Sequence, residues 1–399
     1  VEALINDGDY SSAVIQVKDN YGDYCVVGFY SLDRQTHHLK HFVFSCRILN
    51  LGIAQYVYSK LNFPSLDIIP EVAETLDGSF PDWISEITSE EEQQEPPVRK
   101  NGESKIKILF RGGCEFTQML FYLKNNGIAV EEETNYVSKE NLAIHQGHSQ
   151  VLIDTLTISP EDKRYLEESA HIPFVDADFY KTKVFGLGYD CLVYSLHMDF
   201  TQELYAQKKQ NLILPYGGYH SYWTDINSHP DIVKKVNPRG LNSINEQNLG
   251  VFASEFKHLG QISPDHFLEN LKQIRNKIPS HIPIVFINGA EVQNPKSLGK
   301  NVKMRHQLMN GVLDGFVEKT ENCHLLDLRK IVTHESQLTL NSRHFQREIY
   351  RMISLELLQI LNIALDRKIE KKLSLKSKLL SKAHALVNMA KKVKRKILK

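Results

Sequence analysis

Hydrophobic and polar positions alternate at a period of two near the start of the chain and later shift to helical spacing. The alternation predicts strands over residues 12–18 and 24–32, joined by the turn Asp19-Asn20-Tyr21-Gly22-Asp23, and a third strand over 37–45. Helical spacing follows over about 52–61. Residues 85–104 lose the pattern altogether. They are acidic, polar and broken by Pro96-Pro97, so they read as an extended linker with almost nothing to bury.

Past the linker, strand and helix patterns alternate. The apolar run Ile106, Ile108, Leu109, Phe110 stops at Gly112-Gly113, delivers Cys114 and passes into helically spaced residues 118–123. A strand, a sharp turn and a helix put the turn residue at the C-terminal edge of a parallel sheet. There the partial positive charge of a helix N-terminus favours a thiolate. Residues 127–130 suggest a second strand, 151–158 supply another short apolar segment, and 190–196 read as a buried strand ending in His197-Met198-Asp199.

Ser263-Pro264-Asp265 opens a helix with Phe267, Leu271, Ile274 and Ile278 on one stripe. A strand over 282–287, a helix over about 304–318 and a strand over 324–328 follow. Asn341-Ser342-Arg343-His344 then precedes an amphipathic helix over 346–361. This order argues an α/β domain with a parallel sheet and helices on both faces. The stretch 214–250, rich in Gly, Pro, Tyr, Asn and His, is too long for a plain connector; it reads as a functional lid or substrate-facing insertion, or as an Ω-like loop packed for stability.

Composition refines this picture. A chain of 399 residues that is 42% hydrophobic and 24% charged has room for two or three soluble domains. Five cysteines are scattered without CxxC pairs, and neither a signal peptide nor a bilayer-length apolar run is evident, so a reducing cytoplasm is expected. Val1 is not a natural initiator, and the chain is expected to be a fragment of a longer one.

The formal net charge of zero conceals an asymmetry: from Arg367 onward thirteen Lys/Arg face the single Glu370, so this tail is about +12 and the rest about −12. Leu373, Leu379, Leu380, Leu386, Val387, Val393 and Ile397 fall broadly on one face, with lysines on the other. Residues 366–399 therefore read as a basic amphipathic helix lying on an anionic membrane, peripheral to its inner face. A solvated charge run is the bland alternative. The tail's lack of aromatics argues against base stacking, so no nucleic-acid partner is expected.

Two resemblances join these readings. "VKDNYGDYCVVGFY" followed by "FVFSCRILNLGIAQYVYSKL" resembles the C-terminal, acetyltransferase-like portion of FkbH-like proteins, which carry a phosphatase-type domain ahead of it. In acetyltransferases of that general fold, the turn after the fourth strand has the form Arg/Gln-x-x-Gly-x-Gly and holds coenzyme A phosphates. Arg47 and Gly52 match that form, with Asn50 at the first glycine, so these three are the implied cofactor-binding residues. Glycine-bearing turns before a helix also suit an anion on physical grounds, although simple punctuation explains one glycine equally. The resemblance implies a pathway that loads small acyl units onto carriers.

Residues 105–362 resemble the SGNH hydrolase superfamily, in which a nucleophile turn, a mid-domain Gly-x-Asn-Asp and a late Asp-x-x-His recur. Gly112-Gly113-Cys114 stands at the first site, Leu196-His197-Met198-Asp199 near the second and Asn341-Ser342-Arg343-His344 at the last. The Gly-x-Cys form is similar to WcbI-type polysaccharide-biosynthesis proteins. The implied fold is an SGNH/flavodoxin-like domain over 105–365, preceded by a partial acetyltransferase-like α+β segment over 1–84 and the linker 85–104.

The chemistry stands without the families. A thiolate attacking an ester or thioester needs a base within reach, and His344 sits three residues after Asn341, which can orient its ring. Cysteine's low intrinsic pKa makes an anionic third member less necessary, so Cys114, His344 and Asn341 form a workable triad. Oxyanion or substrate contacts fall to Gly113, to the backbone N–H of Cys114, and to His197 or Asp199. Asp327, ending a strand, is an alternative acid partner.

Each member has a structural alternative: Cys114 as a small residue in a Gly-rich turn, His344 as a cap, and His197 and Asp199 as a hydrogen-bonded pair. No metal-ligand spacing links His197, Asp199 and His344, and no metal is expected.

The expected activity is a cysteine-dependent acyltransferase or esterase acting on a sugar or surface-polysaccharide precursor. It needs no resident cofactor; an acyl-CoA or acyl-carrier thioester serves as donor, and a saccharide or lipid-linked saccharide as acceptor. The competing reading is a catalytically inactive SGNH-like module that binds a glycan or acyl carrier. A third places the working site in the acetyltransferase-like segment.

Overall fold

The computed structural model describes residues 2–5, 7–19, 22–45, 48, 51–68, 76–87, 106–138, 140, 142–210, 212–217, 222–237, 240, 242–293, 301–339 and 341–366. The expected linker falls almost wholly outside these residues, as does the basic tail beyond Asp366. The chain divides into two compact units, one centred on residues 1–103 and the other on 104–123 and 128–367.

The first unit runs α1 (Glu2–Ile5), β1 (Tyr10–Asp19), β2 (Gly22–Asp33), β3 (His38–Phe44), α2 (Ile53–Lys60) and β4 (Ser65–Leu66). Strands β1, β2 and β3 pair antiparallel in sequence order, and β4 joins β3 in parallel. Ile53 and Val57, one turn apart on α2, are buried along with Tyr24, Val27, Leu32 and Leu39 of the strands.

The second unit opens with β5 (Lys107–Arg111), α3 (Thr117–Asn125), β6 (Ala129–Glu133), β7 (Tyr136–Val137) and β8 (Ala143–Ile144). Next come α4 (Ser149–Thr157), α5 (Pro160–Glu168), β9 (Cys191–Ser195), α6 (His197–Thr201), β10 (Glu203–Gln207) and β11 (Ile213–Tyr216). It closes with α7 (His229–Val236), α8 (Glu246–Glu255), β12 (Phe256–Gln261), α9 (Pro264–Lys277), β13 (Ile284–Ile287), α10 (Val302–Lys319), β14 (Cys323–Leu326) and α11 (Arg347–Ala364).

The central sheet has the order β6-β5-β9-β13-β14, every neighbouring pair parallel. Counting only the strands of this sheet, this is 2-1-3-4-5, the doubly wound order of SGNH/flavodoxin-like folds. Leu109, Leu192, Tyr194, Ile284 and Phe286 point to one face, where they pack with Leu152 of α4, Leu271 of α9 and Leu313 of α10. The alternate residues Ile108, Phe110, Val193 and Val285 are equally buried on the other face, and α3 and α11 carry the remaining buried apolar stripes. The winding reverses between β5 and β9, and ligands of such folds bind outside the carboxyl ends of the strands at that point.

Two segments take shape only in the structure. The apolar segment 151–158 falls almost wholly within α4, whose N-cap His148 accepts a hydrogen bond from Gln150 N. The described part of the aromatic stretch 214–250 is not a lone loop. It contributes β11, α7 and the start of α8, and β11-β10-β12 form their own antiparallel sheet. Trp223 and Tyr216 of this stretch pack with Phe252 around Phe174 in a second core, while Tyr222 stays exposed and stacks on His258. Residues 218–221 lie outside the described residues.

Candidate functional site

The turn after β5 is shaped by close approach. Neither Gly112 nor Gly113 has a left-handed backbone; Gly113 is extended, with φ −86 and ψ 164. A Cβ on Gly112 would lie 2.7 Å from Ser195 Cβ at the end of β9, and one on Gly113 would overlap the Glu115 carboxylate. The expected tight-turn role of the two glycines therefore gives way to a packing role. Cys114–Phe116 forms a single 3-10 turn leading into α3, with Thr117 Oγ1 donating to the Cys114 carbonyl at 2.5 Å. Cys114 itself is half-buried.

Glu115, the next residue, is buried and folds back across Gly113. Its Oε1 lies 3.2 Å from His197 Nδ1, and His197 Nε2 lies 3.0 Å from the Asn288 carbonyl at the end of β13. The imidazole thus stands between two acceptors, and it donates to both only as imidazolium. Burial opposes ionisation of Glu115, but the His197 hydrogen bond and the Arg343 charge outweigh it and hold the carboxyl well below the usual range. Asn288 extends the chain sideways: its Nδ2 donates to Asp327 Oδ1 at 2.9 Å and its Oδ1 accepts from Leu328 N at 2.7 Å.

The turn before α11 supplies the base. His344 Nδ1 lies 2.9 Å from Asn341 Oδ1, which also accepts the Arg343 N–H at 2.9 Å. With Nδ1 committed as donor, Nε2 carries the free lone pair. Burial pushes His344 down to about 4; Glu115 pulls it up, and Arg343 and His197 push it further down. His344 is therefore a neutral imidazole at physiological pH. Arg343 Nη1 contacts Met198 Sδ at 3.7 Å, which seats this turn over α6. Glu115 links the two turns: it directly follows Cys114 in the chain and acts electrostatically on His344.

His145 joins the same group. Burial pushes it down to about 4, helped by Arg343 and His344 and opposed by Glu115.

His197 and Asp199 do not pair with each other. The ring nitrogens of His197 are both engaged as described, and the fully buried Asp199 accepts from Ser149 N at 3.1 Å and from Ser149 Oγ, capping α4. Burial raises Asp199 to about 7 against these hydrogen bonds. Their expected role as oxyanion or substrate contacts meets polar atoms already committed to protein partners. Asp327 likewise faces Asn288 and Arg329.

Of the implied cofactor turn, Arg47 and Asn50 lie outside the described residues. Gly52 is the left-handed N-cap of α2, with φ 75. The Trp83 ring lies over it, so that a Cβ there would stand 2.8 Å from Trp83 Cζ2. An indole thus covers the glycine expected to cradle a phosphate.

The sequence reading missed Glu115, Arg343, His145 and Asn288. Glu115 and Arg343 are direct neighbours of the candidate nucleophile and base, and Asn288 ends a buried strand at the functional sheet edge; those positions were the available signals. His145 carried none. Among the described residues, no group of three His, Cys, Asp or Glu side chains is placed to hold a metal ion. Nor is any described helix long and apolar enough to cross a membrane.

A scan of family models finds no match, and no curated protein matches the chain. Among solved structures, the crystal structure of a carbohydrate esterase family 3 protein from Talaromyces cellulolyticus is similar at 8% identity, with a TM-score of 0.31. That likeness covers 66% of this chain and 100% of the other. At this level no residue role passes from one protein to the other.

Proposed function

We propose that the second unit is a cysteine-dependent acyltransferase or esterase acting on a sugar or surface-polysaccharide precursor. The observation that carries this reading is the 2.9 Å hydrogen bond between Asn341 Oδ1 and His344 Nδ1, in a chain whose half-buried Cys114 stands at the switch point of the sheet and whose Glu115, next to Cys114, acts on His344. The Cys114 thiol gives its proton to His344 Nε2 as sulfur attacks the carbonyl carbon of the donor. The oxyanion is met by backbone N–H groups of the Gly113-Cys114 turn. Collapse breaks the bond to the leaving oxygen or sulfur, which takes the proton from His344 and leaves an acyl-cysteine. An acceptor hydroxyl, or water, then loses its proton to His344, attacks the acyl carbon and frees the thiol.

A thioester of coenzyme A or of an acyl carrier protein is the proposed donor, and a saccharide or lipid-linked saccharide the acceptor. The proposed setting is the cytoplasmic face of an anionic membrane, reached through residues 366–399. FkbH-like and WcbI-like ancestry, suggested by the phrases around residues 10–65 and by Gly112-Gly113-Cys114, remains part of this reading.

The test combines Cys114 alkylation, followed by mass spectrometry across pH, with release of p-nitrophenol from its acetyl ester. The expected result is alkylation well below pH 8, acetyl-Cys114 as an intermediate, and loss of both in Cys114→Ala and His344→Ala. Slow alkylation untouched by His344→Ala, with full turnover in Cys114→Ala, overturns the proposal and leaves a binding module.

A further inference from the structure

The Cys114 turn carries a buried carboxylate that the acyl-transfer steps do not use. Glu115 directly follows the nucleophile, and an ionised group there opposes a thiolate by like-charge repulsion. A buried ion pair is also poor value for stability alone, since apolar residues of similar volume often replace one at no loss. Yet Glu115 is ionised, its return path over Gly113 demands a glycine, and its partner His197 is held from the far side by the Asn288 carbonyl.

We propose that Glu115 is a positioning residue of this site: it ties the turn that carries Cys114 to the ends of β9 and β13 through the His197 imidazole, and its fixed negative charge acts on His344. This inference rests on the acyl-transfer reading and deepens it.

The tie is continuous. Glu115 after β5 bonds His197 after β9, His197 bonds Asn288 after β13, and Asn288 bonds Asp327 and Leu328 after β14. One chain of hydrogen bonds thus crosses the functional edge of the sheet and holds the nucleophile turn in register with its neighbours. The charge has a separate effect. His344 is faced by Arg343 from its own turn, His197 from α6, His145 from the segment before α4, and Glu115 from the nucleophile turn. Glu115 alone among these is an anion, and it opposes the burial and the Arg343 charge that make His344 a weak base. A base too weak to hold the thiol proton cannot generate the thiolate at neutral pH.

The test is NMR of the histidine rings in the full chain, comparing wild type with Glu115→Gln. The expected result is a His344 midpoint lowered by about half a pH unit or more, together with a changed His197 Nδ1 signal as its hydrogen bond to Glu115 is altered. In the acetyl-ester assay kcat falls while KM holds, and Glu115→Asp recovers part of it. Should Glu115→Gln fail to fold, the neutral hydrogen-bonding pair Glu115→Gln with His197→Gln decides: Glu115 outweighs His197 at His344, so the midpoint still falls, by less. A wild-type His344 midpoint with an unchanged His197 signature, or an unmoved midpoint in the double variant, overturns the inference whatever the activity. Cys114→Ala with full turnover instead removes the acyl-transfer reading and leaves the ring titrations standing, so the two failures are distinct.

Discussion

Asn341 Oδ1 accepts two hydrogen bonds at 2.9 Å, one from His344 Nδ1 and one from the Arg343 backbone N–H. The second bond fixes the amide's orientation, so the oxygen faces the ring. The first fixes the ring's tautomer, so Nε2 is the open nitrogen. A neutral amide does this without raising the basicity of the imidazole as a carboxylate would, in keeping with the low value of about 4 for His344.

Replacing the amide by a carboxylate tests that division of labour. Asn341→Asp keeps the oxygen and adds a charge, so the His344 midpoint is expected to rise from about 4 by roughly one pH unit or more. Asn341→Ala frees the ring and slows Cys114 alkylation at pH 7 about tenfold. Ring NMR and alkylation rates check both; a rate unchanged in Asn341→Ala means the amide does not orient a working base.

The Gly112 contact yields a stability prediction. Gly112→Ala puts a Cβ 2.7 Å from Ser195 Cβ and 3.0 Å from the Phe110 ring, both buried, and is expected to cost about 1–3 kcal/mol. Gly311→Ala, inside α10 with nothing within 4 Å of its Cβ, is expected to stabilise by about 0.5–1 kcal/mol. Urea midpoints separate the two, and equal effects would mean that the turn yields to a side chain.

The strand, glycine pair and helix around Cys114 were readable because the hydrophobic period changes abruptly at Gly112, and the polar run before α11 was readable because the amphipathic stripe begins after it. The Glu115–His197 link was not: its members stand 82 residues apart, and only the 2-1-3-4-5 order brings the ends of β5 and β9 together. The type of α4 was left open because its apolar run, Val151-Leu152-Ile153, suits a buried strand or a helix equally well until His148 caps it. The aromatics of residues 216–223 suggested a ligand surface because composition does not tell a stacked core from an open platform.

The charge of the tail gives a prediction outside the described residues. Thirteen Lys/Arg against one Glu beyond Asp366, at about 1 kcal/mol for each basic residue near an anionic surface, should hold the chain on vesicles containing phosphatidylserine. Sedimentation is expected to recover the full chain with such vesicles at low salt and to lose it at high salt or after deletion of 367–399. Recovery of the deletion variant at the level of the full chain would place membrane contact elsewhere.

Asp199 gives the last prediction, and its sign differs from that of an ordinary paired carboxylate. Burial raises it to about 7 in the folded chain against 3.8 when unfolded. Between those values the folded state keeps a proton that the unfolded state releases, so this group's contribution to stability falls as pH rises from about 4 to about 7 and is flat above. The neighbouring His148 works oppositely: burial lowers it to about 3 from 6.5, so stability is gained as pH rises across that window. Comparison with Asp199→Asn removes the histidine background. The wild-type advantage over Asp199→Asn is expected to shrink by roughly 2–3 kcal/mol between pH 5 and pH 8. Urea unfolding in a Trp83→Phe background reads this out, because Trp223 is then the only indole and reports on the second unit. A difference that stays constant over that range would show that Asp199 ionises normally within its Ser149 contacts.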